Sequence, residues 1–456
     1  MLDADGLLRS IPRMELPLLR RQLLRPGVAI ISTLLLLLIW QNQQFVHHIK
    51  SWTIRPNRVP LCRQLPGADD VLVVMKTGAS EVESKLAVHL RTTLTCYPNH
   101  VIFADVEEDL PSGEHLYDAF QYTTPSLRET HSEFALWRKL HAEGRAGLLP
   151  SELSGPESRQ RLEDVRKKIP GWQLDKWKFL PMANQTIHMY PDKRWYVFVE
   201  ADTYLLWSSL LVDLAARPWT DDLYVGSEVI IEDLAFAHGG SGFLLSRSAL
   251  EKFAKTFNSD QSHWESVNEK LWVGDHIFAV ALQEAGVHLQ NGFPTWQGDP
   301  LSFLDLRPDG GLWCSTAVTS HHQTPAEIED IWNLEQTIIS GRAKGRTKRE
   351  SQVLRHRDIF EQYVLPRIQE SRTAWNNQPT VAGREDRSET VEVSSLLECE
   401  GMCERDKTCL QFAVHDNKEC KTTSKVVLGE EAEGFESGWM LGRIMENIEK
   451  TDVCQP

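Results

Sequence analysis

A run of five apolar residues at positions 195–199, rich in aromatic and β-branched side chains, is followed at once by Glu200-Ala-Asp202. Such a run without polar alternation predicts a strand that is buried on both faces of a sheet. Residues two apart on an extended chain point the same way, so the carboxylates of Glu200 and Asp202 are expected to converge. Paired oxygen ligands favour Mn²⁺ or Mg²⁺, although a strand end that carries solvated acids explains the same pattern.

The chain before this run has the pattern of a strand–helix–strand unit. Apolar runs predict strands at residues 69–75 and 101–104, and apolar positions four apart predict a helix over residues 81–94. Such a unit implies a parallel sheet, so the expected fold class is α/β. The chain has neither a P-loop nor the Gly-x-Gly-x-x-Gly motif of dinucleotide-binding folds.

The chain after the run alternates short strands, turns and helices. Strands are predicted at residues 223–226 and 243–245, with a glycine-rich turn at residues 237–242 before the second. Glycines in such a turn let the backbone approach a ligand closely, although a hairpin or bulge has the same composition. Asp275 precedes an apolar-faced helix, where helix capping alone would explain an aspartate.

Two adjacent histidines, His321 and His322, lie just before a predicted helix start at residues 324–327. That start has the capping-box pattern, with proline at the first helical position. Adjacent histidines on a loop are usually exposed polar residues, but neutral imidazoles also complete metal sites.

The N-terminal residues have the pattern of a membrane anchor. Residues 1–26 carry five arginines and are predicted to form a cytosolic tail. Residues 27–46 are predicted to form a transmembrane helix, although their uncharged apolar core is shorter than the roughly 20 residues of a typical span. A cleaved signal peptide begins similarly, but no small-x-small cleavage site follows this run. Residues 47–67 are predicted to be a stem.

Eight cysteines, an even number, favour an oxidising compartment, with scattered thiols of a cytosolic protein as the alternative. Four of them lie close together near the C terminus: Cys399, Cys403, Cys409 and Cys420. Disulfides are favoured over zinc, which prefers Cys-x-x-Cys pairs and histidines. Cys399 and Cys403 are one helical turn apart, so we expect Cys399–Cys420 and Cys403–Cys409 bonds that hold a helix to a neighbouring strand and turn.

The formal net charge of −15 argues against nucleic-acid binding, because that function needs a basic face. An acidic protein that handles an anionic substrate needs a local cation, which a bound metal supplies. Asn184 begins an Asn-x-Thr sequon and is a predicted glycosylation site, although such sequons also occur by chance.

Four segments, in this order, resemble motifs of the Fringe-like and core 1 β1,3-galactosyltransferase-like enzymes of glycosyltransferase family 31. They are Trp195-Tyr-Val-Phe-Val-Glu-Ala-Asp-Thr-Tyr204, Gly239-Gly-Ser-Gly-Phe-Leu-Leu-Ser246, Gly274-Asp275 and Ser320-His-His322. The chain looks most like fungal-type members with a membrane anchor. Its residues 388–445 separately resemble a PAN/apple module.

The resemblance implies a GT-A nucleotide-sugar-binding fold over residues 68–345. A helix and linker would follow at residues 346–387, and a small disulfide-stapled α+β module of the PAN/apple type at residues 388–456. The implied activity is inverting transfer of a hexose, of the galactose type, from a UDP-sugar to a glycan or glycoprotein hydroxyl, with formation of a β1,3 bond. The implied location is the Golgi or ER membrane, as a single-pass type II protein with a lumenal catalytic domain.

The resemblance also assigns roles to residues. Glu200, Asp202 and His322 would hold Mn²⁺ or Mg²⁺, with His321 the less favoured partner, and Asp275 would be the catalytic base. The donor and acceptor would be bound by residues from several segments: Thr77, Asp105, Lys178, Gly239, Gly240 and Gly242.

The chain departs from the family pattern at two acidic motifs. Glu200-Ala201 stands where the family often carries two aspartates, and Gly274 replaces the first acid of the pair at the base helix. Two other functions therefore remain open. One is a catalytically weak or inactive carbohydrate-binding or adhesion protein that acts through the C-terminal module. The other is a metal-dependent phosphohydrolase that uses Glu200 and Asp202.

Overall fold

The computed structural model describes residues 59–153, 170–308, 310–343, 353–378, 390–416, 418–451 and 454. The predicted tail, anchor and most of the predicted stem lie outside these ranges, so those assignments stay predictions. No helix within the described ranges combines the length and apolar character that a bilayer crossing requires.

The first part of the described chain is built from short strands and helices. Its strands are β1 Val71–Lys76, β2 His100–Ala104, β3 Glu108–Asp109, β4 His115–Asp118, β5 Trp195–Glu200, β6 Tyr204–Leu205, β7 Tyr224–Gly226, β8 Glu228–Ile231, β9 Leu234–Ala237, β10 Phe243–Ser246, β11 Leu289–Asn291 and β12 Thr319–Ser320. Its α-helices are α1 Ala87–Arg91, α2 Pro125–Thr130, α3 Ala135–Glu143, α4 Pro170–Asp175, α5 Phe179–Met189, α6 Trp207–Ala215, α7 Arg247–Ser259, α8 Gln261–Lys270, α9 Gly274–Glu284 and α10 Pro325–Ala343.

Eight of these strands form the main sheet, in the order β11-β7-β10-β5-β1-β2-β4-β3. The predicted central strand, β5, is buried as its composition indicates and pairs in parallel with β1. Alternate residues of β1 enter different cores: Leu72 and Val74 pack with α5, α7 and α9, whereas Val73 and Met75 pack with α6 on the other face. The α/β class is therefore confirmed, with helices on both faces of the sheet.

The strand–helix–strand unit is parallel as predicted, and the structure differs from the prediction in two details. The sheet is mixed rather than parallel, because β10 runs antiparallel to both β5 and β7. A hairpin, β8–β9, joins β7 to β10 instead of the helix that a parallel crossover usually needs. The helix predicted at residues 81–94 is divided into a π-helical stretch at Val82–Leu86, α1, and a 3₁₀ turn at Thr93–Thr95.

The second part of the described chain begins with α11 His356–Ile359, which continues through a π turn and a 3₁₀ turn to Arg367. Its other elements are β13 Ser371–Asn376, β14 Val391–Glu392, α12 Leu396–Arg405, β15 Gln411–His415, β16 Glu419–Thr423, β17 Glu430–Trp439 and α13 Leu441–Lys450. The strands form a separate sheet in the order β13-β17-β15-β16-β14. Residues 371–376 were expected in a helix and linker but form the edge strand β13, because they pair with the distant β17.

Four disulfides hold the described structure. Cys399–Cys420 and Cys403–Cys409 join α12 to β16 and to the turn before β15, which is the pairing expected from the sequence. The other two bonds join cysteines whose partners the sequence left open: Cys62 with Cys96, and Cys314 with Cys454.

The C-terminal sheet packs against the segment that follows the main sheet. Leu301, Leu306 and Trp313 share one apolar core with Leu428 and Trp439. In the same region, the backbone N–H of Leu306 donates to the carbonyl of residue 426, at 3.0 Å. The two sheets are therefore tied together by a common core, backbone hydrogen bonds and a disulfide.

Replacing both Cys314 and Cys454 by serine should lower stability by about 2–4 kcal/mol, because the bond closes a long loop in the unfolded chain. The two cysteines are 140 residues apart. We expect a lower melting temperature and faster proteolysis of the end of α13 under non-reducing conditions. Melting and proteolysis unchanged from the parent protein would contradict a stabilising role for this bond.

Candidate functional site

The short antiparallel pair β6–β12 brings the acidic motif at Glu200–Asp202 together with the histidine motif at His321–His322. Tyr204 lies opposite Ser320, so the residues just before β6 face those just after β12. The backbone N–H of Gln323 donates to the carbonyl of Asp202 at 2.9 Å and closes this arrangement. As a result, Oδ1 of Asp202 lies 3.3 Å from Nε2 of His321, and Oδ2 lies 3.7 Å from Nδ1 of His322.

These three side chains form a candidate metal site. Their candidate ligand atoms all lie within 4.8 Å of one another. Nδ1 of His321 is buried and has no hydrogen-bond partner among the described residues, although buried polar atoms are normally satisfied. His322 adopts a left-handed backbone conformation with φ of 55°, which is uncommon for a residue with a side chain. The two imidazoles favour a transition metal over Mg²⁺.

Glu200 lies beside this cluster and has a different environment. It pairs with Lys76 at 3.0 Å, and its other oxygen is 4.0 Å from Nε2 of His321. Lys76 also forms an ion pair with Asp175. Burial lowers the pKa of Lys76, but the charges of Asp175 and Glu200 outweigh burial and raise it above its usual value. Burial likewise opposes ionisation of Asp175, yet the nearby lysines lower its pKa to about 2.

A second buried lysine contacts the central carboxylate. Nζ of Lys85 lies 3.2 Å from Oδ2 of Asp202 and 2.7 Å from Oε1 of Glu81. Burial raises the pKa of Asp202, but Lys85 and His321 together outweigh burial and hold the pKa well below its usual range. Asp202 is therefore an anion held in place by cationic and imidazole groups on both oxygens.

Three of the residues predicted to bind the donor, Thr77, Asp105 and Lys178, meet at the carboxyl ends of β1 and β2. Nζ of Lys178 donates to the backbone carbonyl of Thr77 at 2.8 Å and pairs with Asp105 at 2.7 Å. The other oxygen of Asp105 accepts from the backbone N–H of Ala79 at 2.8 Å. Burial raises the pKa of Asp105, against the opposing charge of Lys178. These groups form a fully buried network, and their donor-binding role stays a prediction.

The glycine-rich turn comprises residues 238–242, because Ala237 belongs to β9. It connects the cluster of Asp202, His321 and His322 to Asp275. Oδ2 of Asp275 accepts from the backbone N–H of Gly239 at 2.7 Å. A Cβ on Gly240 would lie 2.1 Å from Cε1 of His321, so the ring fits only against glycine. Gly242 has φ of 72°, which also favours glycine. The turn thus fixes the spacing between Asp275 and the histidines.

Asp275 is not the N-cap of its helix. That position belongs to Val273, and Asp275 lies inside the first turn of α9. Oδ1 of Asp275 accepts from the N–H of His276 at 2.9 Å, while Oδ2 reaches across to the glycine-rich turn. Asp275 therefore satisfies one N–H at the start of α9 and also contacts the glycine-rich turn, which a capping role alone does not require.

Residues 175–291 match the sequence model of the Fringe-like family. The match covers less than half of the chain. Twenty-nine chains of solved structures are similar to this chain. One is a glycosyltransferase involved in the glycosylation of the major capsid of PBCV-1, with 10% identity, a TM-score of 0.26, and coverage of 58% of this chain and 98% of that chain. No curated protein matches the chain.

The Fringe-like match supports glycosyltransferase activity. Its matched segment contains β5, the glycine-rich turn and Asp275, whereas the histidines and β1 lie outside it. The strand pairings and the β6–β12 pair connect these outer segments to the matched one.

Sequence reasoning missed three charged residues of the Fringe-like site: Lys76, Lys85 and Asp175. Lys76 directly follows the strand predicted at residues 69–75, so its place at a strand end could be read from the sequence. In the structure it ends β1 in register with Glu200. Lys85 lies on a predicted helix, where a lysine is usually exposed on the surface. Its sequence context therefore did not indicate that it is buried against Asp202. His321 was the less favoured ligand from sequence, yet it lies closer to Asp202 than His322 does.

The predicted glycosylation site lies in the middle of α5. The Asn184 amide exchanges two hydrogen bonds with the Asn258 amide, at 3.1 and 2.8 Å. The hydroxyl of Thr186 is buried and donates to the carbonyl of Met182. Glycosylation at Asn184 stays a prediction.

Proposed function

We propose that the protein is an inverting, metal-dependent glycosyltransferase that moves a hexose, of the galactose type, from a UDP-sugar to a glycan or glycoprotein hydroxyl. We further propose a β1,3 linkage, and a lumenal Golgi or ER location through the anchor predicted at residues 27–46. The observation that carries the proposal is the contact of one glycine-rich turn with both Asp275 and His321. This contact supports a base at Asp275 that works close to a metal at His321.

Each side chain of the site has a role in this proposal. Asp202, His321 and His322 would hold Mn²⁺, which supplies positive charge to the leaving diphosphate. Glu200, oriented by Lys76, would accept hydrogen bonds from water or ribose hydroxyls at the same edge. Asp275 would accept the proton of the acceptor hydroxyl as that oxygen attacks the anomeric carbon. Its two backbone hydrogen bonds fix the orientation of the carboxylate and leave lone pairs for that proton.

A donor screen tests this proposal. The soluble chain from residue 59 onwards should gain thermal stability with Mn²⁺ and UDP together, and one UDP-sugar should be turned over when a glycan acceptor is present. Anomeric inversion and the linkage can be read from the product by NMR. Failure to bind UDP with Mn²⁺ would favour the adhesion alternative, and metal-dependent phosphate-ester hydrolysis without sugar transfer would favour the hydrolase alternative.

Lys85→Met should strengthen the binding of Mn²⁺ alone by about tenfold or more, because it removes a positive charge that contacts Asp202. The metal-free variant should also melt at a lower temperature, since Asp202 loses a buried partner. Calorimetric titration with Mn²⁺, without nucleotide, measures the first effect. Lys85→Arg keeps the charge and is the matched control; equal Mn²⁺ affinity in the methionine variant and the parent would contradict the prediction.

A further inference from the structure

Two tryptophans, Trp172 and Trp272, lie close together and have no role in the proposed reaction. Their ring centroids are 6.4 Å apart, and the planes are inclined by 32°. Trp272 is 51% exposed, which is unusual for the largest apolar side chain in a chain whose other tryptophans include several fully buried ones. Exposed aromatic side chains in soluble proteins commonly mark binding surfaces.

Both rings come from segments that are anchored to the site. Trp272 lies between α8 and α9, three residues before Asp275, so their Cα atoms are at most about 11 Å apart. Trp172 lies in α4, three residues before Asp175, whose carboxylate pairs with Lys178 at 3.2 Å. Trp272 is therefore three residues from the candidate base, and Trp172 is three residues from an aspartate that pairs with Lys178.

The segment that carries Trp272 is held rigidly against α5. Nζ of Lys176 donates to the carbonyl of Leu271 at 3.2 Å and pairs with Glu133 at 2.9 Å. A Cβ on Gly274 would lie 2.4 Å from the ring of Phe179, so this close approach requires glycine. The backbone on both sides of Trp272 is therefore held in place, which lowers the entropic cost of ordering this segment around a ligand.

We infer that Trp172 and Trp272 bind a pyranose ring of the acceptor and present one of its hydroxyls to Asp275. Indole faces carry negative partial charge and attract the C–H groups on one side of a sugar ring. Two inclined faces beside a base fit a saccharide better than a flexible peptide, whose recognition would rely on backbone hydrogen bonds. The inference rests on the proposed function and narrows its acceptor class to saccharides.

Transfer kinetics with Trp272→Ala and Trp172→Ala test the inference. We expect the acceptor KM to rise about tenfold to a hundredfold in each variant, with kcat changed less than about threefold. The donor KM, and hydrolysis of the UDP-sugar without acceptor, should stay at parent values. Trp272→Phe should recover much of the lost acceptor affinity. Leu397→Ala removes another exposed apolar side chain, 75% exposed on α12, and is the matched control.

The acceptor panel consists of aryl glycosides, free oligosaccharides and serine- or threonine-containing peptides. An unchanged acceptor KM in both alanine variants would overturn the inference, and so would transfer to peptides alone, which leaves the proposed function intact. If no UDP-sugar is turned over, the proposed function fails, and the assignment of the two tryptophans to an acceptor site fails with it.

Discussion

Asp275→Asn is expected to reduce kcat for sugar transfer by at least about 100-fold, because general-base catalysis typically contributes 10²–10⁴-fold. An amide cannot take the proton from the acceptor hydroxyl, but it occupies nearly the same volume. The donor KM and the UDP-induced thermal shift should stay close to those of the parent protein. Steady-state kinetics with the preferred donor and acceptor measure the effect.

Asparagine at this position also alters the local hydrogen bonds. Both carboxylate oxygens of Asp275 accept from backbone N–H groups, and an amide can accept only through its oxygen. Asp260→Asn is the matched control, because Asp260 also accepts from a backbone N–H at a helix start, at 3.0 Å, and is exposed. That control should keep full activity. Transfer by Asp275→Asn at near-parent rate would remove Asp275 as the base.

Asp202→Asn is expected to abolish Mn²⁺ binding and to lower kcat by about 10³-fold or more, because the metal supplies several kcal/mol of charge stabilisation in such reactions. Asp202 is the residue that contacts both histidines, so its carboxylate is central to the ligand set. Metal titration without nucleotide separates loss of the metal from loss of catalysis. Removal of Mn²⁺ from the parent protein with a chelator should have the same effect on transfer, reversible on addition of Mn²⁺.

The folded state of Asp202→Asn should persist, because Lys85 retains Glu81 as a partner at 2.7 Å. Asp213→Asn is the matched control. Asp213 lies on α6, and its half-buried carboxylate pairs with Arg217 at 2.7 Å. The control should lose a little stability and no activity. Normal Mn²⁺ affinity in Asp202→Asn would place the metal elsewhere and refute the ligand assignment.

Several predictions from sequence depended on short-range patterns, and the structure agrees with them. Residues 195–199 form a buried strand because an apolar, β-branched run without alternation fits the centre of a two-sided sheet. The helix start at residues 324–327 has its capping box, with the Glu327 carboxylate 2.9 Å from the N–H of Thr324. The expected Cys399–Cys420 and Cys403–Cys409 bonds are present, and the spacing of one helical turn puts Cys399 and Cys403 on the same face of α12.

Other features depended on segments that are distant along the chain. The strand at residues 371–376 forms because β17 pairs with it, and its own mixed polar composition gave no strand signal. Lys85 reaches Asp202 across 117 residues of sequence. A buried lysine and a surface lysine on a helix have the same sequence pattern, so only packing distinguished them.

The amino-acid sequence by itself determined the α/β class, the position of the central strand and the acidic and glycine-rich motifs, because each depends on the spacing of neighbouring side chains. The tertiary structure decided the mixed direction of the sheet, the convergence of the histidines on Asp202, the buried lysines and the Trp172–Trp272 pair. These depend on which distant segments pack together, and that choice is set by burial and hydrogen bonding summed over the whole fold.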